Sequence, residues 1–241
     1  MCELCGSAHH RLSRRSLMAG AGAALAASAL PSARFWAAEP SAEGAPNAIS
    51  PDAALQRIMQ GNARYAANAP TERDFSAGRA ARASAQFPIA AILGCSDSRV
   101  VPDLVFDQSP GDLFVVRLAG NFVDDDGLAS LEYAVKILGA PLVMVLGHTN
   151  CGAVAAAIKV VMERAQLPGH LPELIKSIEP AVIAAHARHP SDLLAATIEE
   201  NVKLNVKRMK DDEPILSEAA KKIAAVGGIY EIATGTVNLL S

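Results

Sequence analysis

Three short runs of apolar residues, each bounded by polar or turn-forming residues, predict the buried strands of a central sheet. The runs lie at about residues 89–94, 112–118 and 142–147. Their apolar positions are consecutive rather than alternating, which is typical of strands that are covered on both faces. Because such strands are joined by crossover helices, we expect an α/β fold with a mostly parallel central sheet flanked by helices.

Helical patterns fill the intervals around these runs. Residues 50–52 offer a hydroxyl cap, a proline at the first helical position and an acid in the first turn, which predicts the start of an N-terminal helical arm. Further helices are expected at about residues 127–138, 152–164, 171–188, 191–211 and from Pro214. Residues 226–232 and 236–240 predict a terminal hairpin that turns at Thr234-Gly235.

The N-terminal segment has the pattern of an export signal. Ser13-Arg14-Arg15-Ser16 is a twin-arginine pattern, and an apolar run rich in alanine and glycine follows over residues 17–30. Small residues come next, at Ala37 and Ala38. A positive region, a modest apolar run and a small-residue site together indicate a signal peptide that is removed on export.

We therefore expect three parts. Residues 1–38 are predicted to be a twin-arginine (Tat) signal peptide, residues 39–50 a linker and residues 51–241 the mature domain, with Ala33 as an alternative cleavage site. The expected localisation is periplasmic or otherwise exported, through the Tat export machinery. The apolar run is too short and too weakly apolar to predict a stable membrane span after processing, although an uncleaved anchor or an alanine-rich helix is the alternative.

The composition is that of one sizeable domain. The chain has 241 residues, of which 51% are hydrophobic and 20% charged, and its formal net charge is -3. Because no basic face stands out, nucleic acid is not an expected partner. Aromatic residues make up only 4%, so the aliphatic side chains must fill the core.

Two thiols and one imidazole stand at the ends of two predicted strands. Cys95 ends the first apolar run, and His148 and Cys151 come directly after the third. Because functional side chains of such sheets gather at the carboxyl ends of the strands, we expect these three to lie together. They form the Cys2His set with which zinc keeps a fourth position for water, and sulfur and imidazole favour zinc over magnesium or calcium.

Other interpretations of the cysteines stay open. Cys95 and Cys151 are also a candidate disulfide in an exported protein, or small buried side chains with a packing role. Cys2 and Cys5 form a C-x-x-C with two histidines just after it, but this second candidate metal site lies inside the predicted signal peptide.

A carboxylate and a guanidinium follow the first thiol. Asp97 lies two residues after Cys95, close enough to reach a metal ion or its water, and Arg99 is placed to hold Asp97 by a forked pair. Asp97 is therefore expected to orient the nucleophile. Alternatively, Asp97 is a fourth zinc ligand that excludes water, or the pair is a loop clamp without chemistry.

At these residues the chain resembles the β class of carbonic anhydrases. The segments 95–99 (Cys-Ser-Asp-Ser-Arg) and 148–152 (His-Thr-Asn-Cys-Gly) carry the resemblance. Further segments that resemble the family are residues 61–65, 112–117, 119–121, 130–134, 226–230 and the turn at 234–235. The similarity covers roughly residues 51–241, the whole predicted mature domain.

The resemblance implies a role for each matching residue. The zinc ligands would be Cys95, His148 and Cys151, and the catalytic pair would be Asp97 and Arg99. The residues that would contact the substrate are Gln86, whose amide helps to hold it, Phe114 and Tyr133, which line its pocket, and Gly152, whose backbone N–H lies near it.

The resemblance also implies the reaction. A zinc-bound hydroxide would hydrate CO2 reversibly to bicarbonate and a proton, so that the protein would be a lyase (carbonate dehydratase) with Zn²⁺ as cofactor. The family is built on dimers that often pair into tetramers, which predicts a homodimer or homotetramer with active sites near the dimer interface.

Two alternatives keep the metal but change the function. A hydrolase of carbonyl sulfide or carbon disulfide would use the same fold, and a non-catalytic zinc-binding protein would have a closed site. A dinucleotide-binding fold is excluded because no G-x-G-x-x-G follows a predicted strand.

Overall fold

The structure, a computed structural model, describes residues 45–212, 216 and 224–240. The predicted signal peptide and most of the predicted linker lie outside these residues, as does nearly all of the helix predicted from Pro214. The strands are β1 (Ala90–Gly94), β2 (Leu113–Arg117), β3 (Leu142–His148), β4 (Ala224–Glu231) and β5 (Thr236–Leu240). The helices are α1 (Pro51–Ala66), α2 (Arg79–Arg82), α3 (Pro102–Val105), α4 (Asp125–Lys136), α5 (Gly152–Glu163), α6 (Leu171–His186) and α7 (Leu193–Lys207), and a π-helical turn, Arg208–Asp212, continues α7.

The five strands form one sheet in the order β2-β1-β3-β4-β5. Strands β1 to β4 are parallel and only β5 runs antiparallel, paired with β4. This confirms the predicted α/β fold with a mostly parallel sheet, and the terminal hairpin was predicted correctly as well. The short helix α3 was not predicted, because its four residues are too few to show a periodic pattern.

The sheet is covered on both faces, which explains the continuous apolar runs. Every residue of β1 and β3 is buried. On one face, Ile58 of α1 and the loop residue Phe106 pack against the sheet, and on the other face Leu131 of α4 and Val202 of α7 do so. A strand with both faces buried has no polar side to alternate with its apolar side.

Helix α7 lies close to the sheet because two glycines face it. A Cβ on Gly147 or on Gly227 would lie 2.7 Å from a methyl carbon of Val202. Any side chain at these two positions would push the helix away, since contacts below 3 Å force the neighbouring atoms to move. The glycines of β3 and β4 therefore fix the distance between α7 and the sheet.

Buried polar residues fix α1 to the rest of the domain. The Asn62 amide donates to the carbonyl oxygens of Val105, at 3.0 Å, and Gly235, at 2.8 Å, and its oxygen accepts from the Val237 N–H at 2.8 Å. These bonds join the helix to the end of α3 and to the β4–β5 turn. Among residues 45–212 and 224–240, no helix combines the length and apolarity that a bilayer span needs.

Asp107, directly after the α3 segment, holds a second junction. Its buried carboxylate accepts from the Arg64 guanidinium at 2.6 Å and lies 2.5 Å from that of Arg73, and the Thr71 hydroxyl donates to it at 2.8 Å. Burial raises the pKa of Asp107, but the two guanidinium groups and Thr71 outweigh it and hold this pKa well below its usual range. The loop after α1 is thereby tied to the loop after α3.

We expect Asp107→Asn to lower the free energy of unfolding at pH 7 by about 2–4 kcal/mol, because two charge-assisted contacts lose their anion. The folded pKa lies below the unfolded value of about 3.9, so the stabilisation is complete above that value and is lost as the pH falls through the folded pKa. Urea unfolding at several pH values tests this. The difference in the free energy of unfolding between variant and wild type should narrow below about pH 4. An equal difference at all pH values would contradict the ionic explanation.

Candidate metal centre

Three buried side chains converge at the carboxyl edge of the sheet. Cys95 directly follows β1, His148 ends β3, and Cys151 is the residue before the first turn of α5. The two sulfur atoms and a ring nitrogen of His148 lie within 4.8 Å of one another. Strand β1 is hydrogen-bonded to β3, so the parallel sheet brings together two segments that are about fifty residues apart in the sequence.

The distances fit a shared zinc ion and not a disulfide. The Cys95 and Cys151 sulfur atoms are 4.0 Å apart and both thiols are free. Two thiolates at about 2.3 Å from a tetrahedral zinc ion are about 3.8 Å apart, whereas a disulfide bond is about 2.05 Å long. The structure therefore favours the metal interpretation over the disulfide.

The His148 ring is oriented for ligation. Its Nδ1 lies 2.9 Å from the carbonyl oxygen of Thr149. Because a carbonyl oxygen can only accept, Nδ1 carries the proton and the lone pair is on Nε2. That Nε2 is fully buried and has no hydrogen-bond partner, which is unusual for a buried polar atom and fits a nitrogen that binds a metal.

The two cysteines differ in their protonation. Hydrogen bonds from Cys151 and from the Gly120 N–H outweigh burial and lower the pKa of Cys95 to about 4. Donation to Cys95 and burial both raise the pKa of Cys151. Cys95 is therefore the sulfur that ionises more readily, and a divalent ion that binds both sulfur atoms also displaces the proton of Cys151.

Asp97 and Arg99 form a forked ion pair beside the cluster. The Arg99 guanidinium donates to both oxygens of Asp97, at 2.9 and 2.7 Å, and the Arg99 N–H donates to one of them at 3.0 Å. These bonds, the side-chain bonds above all, hold the pKa of Asp97 well below its usual range, so that it stays ionised. An Asp97 oxygen lies 3.9 Å from His148 Nε2, which places the carboxylate next to the ligands.

Two further residues hold the Cys95 loop, and the sequence analysis assigned them no role. Arg117, at the end of β2, donates to the carbonyl oxygens of Cys95 at 2.9 Å and Asp97 at 2.7 Å. The Gly120 N–H donates to the Cys95 sulfur at 3.2 Å. Both residues lie in segments that resemble the family, and that was the only signal for them. The bonds of Arg117 depend on the fold, and the backbone donor at Gly120 cannot be recognised from a residue type.

Gly152 is the predicted substrate residue that the chain places beside the ligands. It directly follows Cys151 as the first residue of α5, it is exposed, and a Cβ there would meet open space. The N–H groups of Ala153 and Val154, in the first turn of α5, donate to the Cys151 sulfur and so lie beside the cluster.

Gln86 lies elsewhere in the chain. It is exposed and precedes β1, whereas Cys95 follows that strand. The five residues of β1, at about 3.3 Å each, separate the two by more than about 15 Å. Gln86 instead lines a cavity of about 800 Å³ with Phe87, Pro110 and Asp112 at the opposite edge of the sheet. A single chain thus does not bring Gln86 to the metal ligands.

Phe114 and Tyr133 lie next to each other on the outer strand and its helix. Their ring centroids are 6.2 Å apart. Phe114, on edge strand β2, is half-buried and lies opposite Ala91 near the start of β1, and Tyr133, on α4, is 42% exposed. The two rings form an apolar patch that one chain leaves open to solvent.

The comparison with known proteins decides the family. A sequence profile described as carbonic anhydrase matches residues 90–237, which include Cys95, His148, Cys151 and the Asp97–Arg99 pair. The chain belongs to the carbonic anhydrase family. A solved tetrameric β-carbonic anhydrase from Sordaria macrospora is 25% identical, with a TM-score of 0.62, and the alignment covers 68% of this chain and 86% of that one. The family is therefore the β class.

Curated carbonic anhydrases support the assignment. Carbonic anhydrase 2 of Mycobacterium tuberculosis is 42% identical over 135 residues, which span 56% of this chain and 65% of that relative. A carbonic anhydrase of Mycolicibacterium smegmatis is 37% identical over 198 residues, or 80% of this chain and 94% of the relative. The match to the second relative thus extends well beyond the segments that hold Cys95, His148 and Cys151.

Proposed function

We propose that this protein catalyses the reversible hydration of CO2 to bicarbonate and a proton, as a zinc-dependent carbonate dehydratase. The observation that carries the proposal is the buried cluster of Cys95, His148 and Cys151. The ligand atoms of the three residues lie within 4.8 Å of one another, and the His148 Nε2 has no hydrogen-bond partner. Zinc held by such a set lowers the pKa of a bound water toward neutrality and so supplies a nucleophile.

The protein residues hold and orient the reacting groups. Both oxygens of Asp97 accept from Arg99, so the carboxylate is kept ionised and held beside the ligands. We propose that Asp97 accepts a hydrogen bond from the nucleophile and orients it toward the carbon of CO2. Asp97 Oδ2 accepts one bond from Arg99 and keeps a lone pair for the nucleophile, and the ion pair reduces the charge of the carboxylate, which favours an open fourth position over ligation by Asp97.

The start of α5 suits the product. Its first-turn N–H groups, beginning with Gly152, are donors with partial positive charge, and Gly152 itself is exposed. Helix N-termini bind anions in this way, so we propose that Gly152 helps to hold bicarbonate.

Gln86, Phe114 and Tyr133 would complete the substrate site from a second copy. Gln86 and the open aromatic patch lie away from the ligands of their own chain, and the expected dimer has its active sites near the interface. The Sordaria macrospora relative is tetrameric. We therefore propose a homodimer or homotetramer.

Stopped-flow hydration of CO2 tests the proposed function. We expect removal of the metal by a chelator to reduce the rate to that of the uncatalysed reaction, and one zinc ion per chain to restore it. Parallel assays with carbonyl sulfide and carbon disulfide as substrates distinguish a hydrolase of these compounds from an enzyme that hydrates CO2. A protein that binds zinc tightly and hydrates CO2 no faster than buffer would contradict the proposal and favour the non-catalytic alternative.

We also propose export through the Tat machinery, on the basis of the pattern at residues 13–16. Replacement of Arg14 and Arg15 by lysine is the direct test, because the Tat pathway reads the arginine pair. The full-length chain should then accumulate unprocessed in the cytoplasmic fraction. Unchanged export and processing of the variant would contradict the assignment.

A further inference from the structure

Helix α7 carries two buried asparagines, one turn apart, that contact the loop after β2. Asn201 is 2% exposed and donates to the Gly120 carbonyl oxygen at 2.8 Å. Asn205 accepts from the Val123 N–H at 3.0 Å and donates to the Asn201 carbonyl oxygen at 2.8 Å. Burying an amide is unfavourable unless it is hydrogen-bonded, so these side chains stabilise only the loop position that satisfies them.

The two peptide groups that flank Gly120 link helix α7 to Cys95. The Gly120 carbonyl oxygen accepts from Asn201, and the Gly120 N–H donates to the Cys95 sulfur at 3.2 Å. The backbone conformation, with φ at +92°, is one that residues with a side chain rarely adopt. A Cβ there would also lie 2.5 Å from Ile178 Cδ1.

We propose that Asn201 is a positioning residue for the metal centre, because it holds Gly120 so that its N–H points at the Cys95 thiolate. The inference rests on the proposed zinc site. It extends that site to α7, more than a hundred residues along the chain from Cys95.

Packing alone does not account for an asparagine at this position. Val202, the next residue, already seats α7 against Gly147 and Gly227. A leucine at position 201 would have a similar volume and would fill the same space without a buried amide. What leucine cannot supply is a donor for the Gly120 carbonyl oxygen.

The expected effects follow from the chemistry of a thiolate. An N–H donor withdraws negative charge from the sulfur and fixes its position. When the donor loosens, the sulfur electrons become easier to remove, and a thiolate-to-metal charge-transfer band moves to longer wavelength. The ligand is also less well oriented, and loss of such outer contacts weakens metal binding by about 10–100-fold.

The test compares Asn201→Leu with Asn47→Leu. Asn47 is the matched control because it is also buried and its amide donates to backbone carbonyl oxygens, those of Pro88 and Leu138, at the opposite edge of the sheet. Cobalt(II) replaces zinc as the spectroscopic probe, and a chelator competition measures affinity for both metals. We expect a band shift to longer wavelength and about 10–100-fold weaker binding in Asn201→Leu alone, with a lower Tm in both variants.

If Asn201→Leu has the charge-transfer band and the metal affinity of the wild type, the inference is overturned. The substitution would then lower only the Tm, which is a purely structural effect. If Asn201→Leu does not fold, Asn201→Ser replaces it, because its hydroxyl ends short of Gly120 and adds no buried charge. A smaller shift in the same direction supports the inference, and an unchanged spectrum overturns it. Wild-type protein that binds no metal would instead overturn the proposed function.

Discussion

Cys151→Ser is expected to lose both its zinc and its activity. Cys151 supplies one of the two sulfur atoms, which lies 4.0 Å from that of Cys95, and its side chain is 1% exposed. A buried serine hydroxyl does not ionise near neutral pH, so the ion would keep one thiolate and one imidazole. We expect zinc well below one per chain after desalting, and CO2 hydration at the uncatalysed rate.

Metal analysis by mass spectrometry and stopped-flow hydration on the same sample measure both effects. Ala157→Ser is the matched control, because it places a hydroxyl at another buried position of α5 without touching the ligands. It should keep its zinc and its rate. A wild-type zinc content and rate in Cys151→Ser would remove Cys151 from the ligand set.

Asp97→Asn should keep the metal and lose turnover. The three ligands are unchanged, so zinc content should remain near one per chain. The amide cannot reproduce an ionised carboxylate that accepts from Arg99 through both oxygens. When its single oxygen accepts from Arg99, its NH2 group faces the nucleophile and cannot accept the nucleophile's hydrogen bond, so we expect the rate to fall by about 10²–10⁴-fold.

Glu173→Gln is the control for this variant. Glu173 also pairs with a cation, Lys176 at 3.0 Å, but on the exposed surface of α6, so its loss should leave the hydration rate unchanged. Full activity in Asp97→Asn would remove Asp97 from the mechanism. Loss of zinc from that variant would show that Asp97 is a ligand and that the fourth position is closed.

The sheet and the ligand cluster were predictable because local pattern and topology agree. Continuous apolar runs indicate strands that are buried on both faces, and a parallel sheet brings their carboxyl ends together. Once Cys95 and His148 were placed at two such ends, their proximity followed, and the structure confirms it.

Apart from the forked Asp97–Arg99 pair, the contacts around the cluster were not predictable. The role that the resemblance implies for Gln86 stays a prediction, because β1 separates Gln86 from Cys95 of the same chain by its full length and the proposed site needs a second copy. Asn201 is distant in the sequence from the residue that it contacts. It lies 81 positions from Gly120, and an asparagine in a helix usually indicates an exposed residue, so only the packing of α7 on the sheet reveals the bond.

X-ray absorption at the zinc edge of the purified protein tests the central claim most directly. The structure predicts two sulfur neighbours at about 2.3 Å and two nitrogen or oxygen neighbours at about 2.0 Å, one of the latter exchangeable. In a Cys151→Ser sample that is loaded with added zinc, the sulfur scattering should fall by half. A wild-type spectrum with only nitrogen and oxygen neighbours would contradict the account.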